Sequence, residues 1–136
     1  MAVLVLTNAS VTIAGTDLSS LANNVQLTYE LDSVEVTAFG DSGHKYTGGL
    51  QNNQLQVDLF QDFAATKTEA TIYPLVGTAV TVVIKPINTT TSTTNPAYTI
   101  TSAFLASHTP VMGAVGEIAK TSLTFTGGTL VKTTSP

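Results

Sequence analysis

At 136 residues, 43% of them hydrophobic, the chain reads as a single domain (1–136) long enough to bury a sizeable core. Only 10% is charged, with a formal net charge of -4 and no arginine, and the five lysines (Lys45, Lys67, Lys85, Lys120, Lys132) are scattered, which excludes a basic stripe for binding a phosphate backbone. Cysteine is absent, so disulfides and thiolate chemistry are excluded too.

The N-terminus, MAVLVLTNASV, lacks a basic leader and its apolar run is broken by Asn8, so it reads as a strand and not as a signal peptide. No run approaches the roughly 18 apolar residues needed for a membrane helix. Val3–Leu6 and Val11–Ile13 are short strands around a turn, and Asp17–Leu21 is at most one helical turn ended by Ala22-Asn23-Asn24. Strict alternation then begins. Val25, Leu27, Tyr29 and Leu31 lie on one face, with Gln26, Thr28 and Glu30 on the other, the pattern of a half-buried antiparallel strand. Val34 and Val36 alternate with Glu35 and Thr37, which predicts that one side of this strand is buried as well.

Next comes a loop with four glycines, Phe39-Gly40-Asp41-Ser42-Gly43-His44-Lys45-Tyr46-Thr47-Gly48-Gly49, and alternation resumes through Leu55, Val57 and Leu59. Thr66-Lys67-Thr68-Glu69 matches a capping box, in which the Thr66 hydroxyl and the Glu69 carboxylate satisfy each other's backbone amides. It predicts a helix of about two to three turns, finished near Tyr73–Val76 by Pro74, with Gly77 as its stop. Tyr29, Phe60, Phe63 and Tyr73 flank this helix and read as core aromatics. Val80, Val82 and Ile84 form a strand, and Asn88–Asn95 (NTTTSTTN) reads as an exposed loop with nothing to bury. Ala97–Ser107 is a strand, Met112–Gly116 a second glycine loop, and Glu117–Thr126 a strand with Ala119, Thr121, Leu123 and Phe125 facing one way. Gly127-Gly128 turns the chain into Thr129–Lys132. Eight to ten short strands with one short flanking helix and a long glycine-rich hairpin loop predict a mainly β fold, an antiparallel β-sandwich or partly closed barrel.

Chemistry is hard to find. His44 and His108 have no second His or Cys at ligand spacing, and each reads as a polar loop residue. Asp41, Ser42 and His44 share one loop, but a catalytic triad needs a rigid chain of hydrogen bonds and an oxyanion hole. Gly40–Gly43 lacks the GK[ST] ending of a phosphate loop. Asp58, Asp62 and Glu69 fit no calcium loop. No catalytic, cofactor-binding or metal-binding residue is expected, and the protein is not expected to be an enzyme. Charge at 10% compares with about 25% in an average soluble domain. Interface cores are depleted of charge in the same way, so the composition suits a chain that lives among copies of itself. A secreted β-domain with a threonine-rich skin is the blander alternative.

The run Glu35–Leu50 resembles a pattern in tail tube (major tail) proteins of long-tailed bacteriophages. In them a polar strand ends in a T-x-x-GD turn, here Thr37 to Asp41, and the loop closes with GGL, here Gly48-Gly49-Leu50. The similarity continues through Gln61–Ala65, Leu75-Val76-Gly77, Lys85-Pro86, Thr94–Tyr98 and Gly113–Gly116. The resemblance implies a structural virion protein, assembled in the host cytoplasm, whose copies form stacked rings, usually of six, around a DNA-conducting lumen. Its implied partners are itself and other tail proteins such as terminator and tape measure, with DNA only as passing cargo and no membrane. Phe39 to Gly49 would then be the inter-subunit stacking loop, and Glu30, Asp32 and Glu35 the lumen-facing acids. Pro74 inside the helix departs from the family's pattern. A tail terminator or connector ring, a capsid decoration protein and a carbohydrate-binding module are the alternatives. The last is disfavoured by the absence of tryptophan and the dispersal of four tyrosines.

Overall fold

A computed structural model describes residues 5–135. The chain runs through β1 (Ser10–Ile13), β2 (Thr16–Asp17), β3 (Ala22–Thr28), β4 (Leu31–Glu35), β5 (Tyr46–Gln51) and β6 (Gln54–Phe60). A short helix α1 (Thr68–Ile72) follows, tightening into a 3-10 turn at Tyr73–Leu75. β7 (Ala79–Lys85), β8 (Ala97–His108), β9 (Lys120–Thr126) and β10 (Thr129–Thr133) complete it. Seven strands form one antiparallel path, β2-β1-β7-β8-β9-β6-β3, with β10 added to β8, and β4 pairs with β5 as a separate two-stranded sheet. The large sheet does not close into a barrel, since its end strands β2 and β3 do not pair.

The alternating pattern becomes burial most clearly where β6 meets β9. Leu55 faces Phe125, Val57 faces Leu123 and Leu59 faces Thr121. All six are buried, while Gln54 and Gln56 stay exposed. Val11, Ile13, Val82, Ile100 and Leu105 extend this core, and Ile72 of the helix seals it from one side. Each such aliphatic or aromatic side chain contributes about 1.5–3 kcal/mol by leaving water.

β8 breaks alternation and is bent for it. Ile100 and Ala103 are both buried although three residues apart, because Ser102 adopts a left-handed φ of 61°. The ladder to β7 slips there, from Val82 opposite Ile100 to Val80 opposite Ala103. This is the geometry of a β-bulge. On its other edge β8 pairs first with β10, Ile100 opposite Leu130, and then with β9, Leu105 opposite Phe125. β9 and β10 thus lie end to end along one strand, joined by Gly127 and Gly128 with φ of 75° and 83°. The Gly-Gly pair is a link between collinear strands and not a hairpin turn.

Several expectations are corrected. Val3 and Leu4 of the first expected strand lie outside the described residues, and Val5 and Leu6 are exposed and not in a strand. Ala22-Asn23-Asn24 opens β3. β3 ends at Thr28, so Tyr29 and Leu31 fall beyond it and are exposed. The helix has only five residues and no capping box. Thr66 takes a φ of 62°, its hydroxyl turns to the Ala65 carbonyl, and the Glu69 carboxylate is committed elsewhere. Pro74 sits in the first turn of the 3-10 segment, where its missing N–H costs little. Tyr29, Phe63 and Tyr73 are exposed, and Phe125 is the aromatic of the core. The NTTTSTTN loop does bury something. Asn95 accepts the Ile87 amide at 3.0 Å and donates to the Ile87 carbonyl at 2.9 Å from a nearly closed position.

Candidate functional site

Among the described residues, the sheet of β4 and β5 forms an arm that belongs to no other ladder. All five β4 residues are exposed. Neither Val34 nor Val36 is buried, contrary to the half-buried strand expected from alternation. The arm has apolar side chains on both faces. Asp32 and Val34 share one face, since a Cβ at Gly49 would meet both at 3.3 and 3.1 Å, and Val36 follows two residues on. Leu31 lies over Gly48 on the other face, where Glu35 pairs with Tyr46. Leu50 is 81% exposed, and Phe39 at the tip is fully so.

Two polar side chains that the sequence did not single out fix the arm at its base. Asn53, buried, accepts the Glu30 amide at 3.3 Å and donates to Gln51 Oε1 at 2.9 Å and the Gly128 carbonyl at 3.2 Å. Gln51 Oε1 also accepts the Leu130 amide at 2.9 Å. The arm is therefore tied to the β9–β10 junction, and its only sequence signal was a polar QNNQ run between two strands.

The expected loop Phe39–Gly49 divides in the structure. Tyr46, Thr47, Gly48 and Gly49 belong to β5, while Phe39, Gly40, Asp41, Ser42, Gly43, His44 and Lys45 form the tip. The tip is organised by its own polar groups. Asp41 accepts the Ala38 amide at 2.8 Å and pairs with Lys45 at 2.9 Å. These two contacts, the amide first, hold its carboxyl below the usual carboxylate range. His44 meets Glu35, whose carboxylate also accepts the Thr37 hydroxyl. Asp41, Ser42 and His44 are thus not linked in series. Of the three acids expected at a lumen, Glu30, Asp32 and Glu35 are all exposed, and Glu35 faces away from Asp32 and toward His44.

On the open side of the large sheet, between the segment entering β1 and the strand β3, lies an apolar groove of about 820 Å³. Leu27, Ile84, Tyr98 and Leu130 line it, and two of the five lysines, Lys85 and Lys132, stand in its wall. A second apolar patch, Val111, Val115 and Ile118, is exposed on the later glycine loop. His108 is no loop residue. Its imidazole is buried at the end of β8, between Glu69 Oε2 at 3.0 Å and the Thr121 hydroxyl at 2.9 Å. Thr121 is itself fully buried, and this chain of groups braces the helix against β8 and β9. Among the described residues no three His, Asp or Glu side chains converge to hold a metal, and no helix is long and apolar enough to cross a membrane.

No family model and no curated protein matches the sequence. Solved structures do match in fold. A chain of the tube-terminating cap of the anti-feeding prophage superposes with a TM-score of 0.73 at 14% identity, over 99% of this chain and 93% of that one. A chain of the sheath/tube terminator of an extracellular contractile injection system gives 0.72 at 14% identity, over 97% of each. A chain from the sheath-tube complex of such a system gives 0.69 at 13%, over 97% and 92%. The resemblance to tail tube proteins drawn from the glycine loop is matched in the architecture, and this chain shares its fold with components of tubes and their terminators.

Proposed function

We propose that this chain is a structural virion subunit that assembles into stacked rings, six copies to a ring, forming the tail tube through which phage DNA passes. The observation that carries the proposal is the arm. It exposes apolar side chains on both faces, and a free monomer rarely leaves such patches uncovered. Its fixed base and hydrogen-bonded tip suit it to reach a neighbouring copy or ring, with Phe39 to Gly49 as the stacking contact. Glu30, Asp32 and Glu35 are the candidates for a lumen wall. Together with the net charge of -4, such a wall repels DNA and lets it slide. Other tail proteins, including a terminator and a tape measure, are the further partners. The six-fold number and the DNA cargo rest on the family resemblance alone. The likeness in fold to a cap and a terminator favours a second reading, a ring that ends a tube.

Negative-stain electron microscopy of the purified chain across a concentration series tests this, alongside a variant lacking Asp41–Thr47. Hollow tubes from the full chain and none from the shortened one support the tube reading. Single rings that never stack favour the terminator. A monomer at every concentration overturns both.

A further inference from the structure

We infer that the groove on the open side of the sheet is the receiving site for the arm of a second copy of this chain. The inference rests on the self-assembly reading and names the surface on which one contact is made. The groove, about 820 Å³, is the size of sites that take up a small molecule. It therefore has room for a few side chains and not for a whole hairpin. No residue between Leu31 and Gln51 of the chain's own arm lines it. The arm supplies a matching set. Val34 and Val36 form an apolar stripe on the Asp32 face, and Phe39 stands fully exposed at the tip. Leu27, Ile84, Tyr98 and Leu130 supply the apolar floor.

Charge complementarity supports this occupant. In a chain with nine acids and five lysines, Lys85 and Lys132 both stand in the groove wall. Asp32 shares its face with the valines, so docking the stripe brings an acid to a basic rim. Lys85 donates to the Thr89 carbonyl at 3.0 Å, whereas Lys132 projects exposed from β10 and is the better partner. The pairing takes Asp32 out of the lumen-facing set and leaves Glu30 and Glu35 there. Glycine at position 49 also gains a purpose. A Cβ there would sit 3.1 Å from Val34 and crowd the docking face.

The test uses full-length chains, which contain no native cysteine. Asp32→Cys and Lys132→Cys copies, one carrying a mass tag, are co-expressed, assembled and oxidised. The expected result is a mixed disulfide dimer, absent when Asp32→Cys is paired with Thr81→Cys on the exposed side of β7. In parallel, Lys132→Glu should raise the concentration needed for assembly about tenfold or more, and Asp32→Lys in the same chain should reverse that. Circular dichroism checks that each variant is folded. Assembly that proceeds with no Asp32–Lys132 cross-link, and with Lys132→Glu unchanged, overturns the docking site while self-assembly stands. A wild-type chain that never assembles removes both.

Discussion

His108 and Asp41 are the two residues whose surroundings make single-site predictions. Glu69 accepts from Nε2 of the buried imidazole, and Nδ1 shares a hydrogen bond with the Thr121 hydroxyl. Thr121→Val keeps the shape but strands a buried imidazole nitrogen, so it should destabilise the fold by about 1–3 kcal/mol in urea unfolding at low protein concentration. A change inside about 0.5 kcal/mol, the range of ordinary surface substitutions, would mean the brace is idle. Asp41 tests the arm. Its carboxyl is held below its ordinary value of 3.8 by the Ala38 amide and Lys45. A lowered folded pKa means the order it lends to the tip is in place above about pH 4 and is lost as pH falls through the lowered value. The Ala38 amide resonance should report a midpoint below 3.8, and Asp41→Asn should abolish the transition. A midpoint at or above that value sinks the account. Neither environment was legible in the sequence. His108 gains its partners from a helix and a strand distant in the chain, and spacing carries no record of that.

Among the elements, those that alternation dictates were readable and those set by a local irregularity were not. Gln54–Phe60 and Lys120–Thr126 bury every second residue, although Glu117–Ala119, expected in the same strand, precede β9 and Ala119 is exposed. The bulge in β8 escaped because Ser102 has no special signature in TITSAFLAS, and the Gly127-Gly128 pair looked like a hairpin turn. Space and backbone give that pair separate roles. Both glycines have positive φ, but a Cβ at Gly127 meets nothing within 4 Å, while one at Gly128 lies 2.6 Å from the Thr101 carbonyl and 3.1 Å from the Ala103 amide. Gly127→Ala should therefore cost about 1 kcal/mol, the left-handed penalty. Gly128→Ala adds overpacking at the bulge and should cost about 3 kcal/mol or more. Equal losses in thermal unfolding would mean that the bulge moves freely away from the junction. The helix teaches a related lesson. Its capping box fails because Glu69 satisfies His108 and Gln61 instead of the Thr66 amide, and a buried partner outweighs a cap at the surface.

At the scale of the molecule, low charge pointed to life among copies, and the glycine-rich stretch located the arm. The sequence misled in one respect, because alternation in Val34 and Val36 was read as burial within the subunit. Under the proposed self-assembly, that alternation marks a face covered by a second copy. The groove was illegible for a different reason, since its lining comes from β3, β7, β8 and β10, which only the folded sheet brings together. These facts fix how stability should depend on concentration. Every β4 residue is exposed, so removing Asp41–Thr47 should leave the Tm of the dilute chain unchanged. Assembly stabilises only the folded state, by about 2.7 kcal/mol at a hundredfold above the dissociation constant, or roughly 10 °C for a domain of this length. Calorimetry of the intact chain should thus show Tm climbing with protein concentration, and the shortened chain should hold one Tm throughout. If the shortened chain melts well below the intact one even at high dilution, the arm is part of the subunit's own core. If the intact chain's Tm ignores concentration, its uncovered apolar faces are not covered by copies of itself.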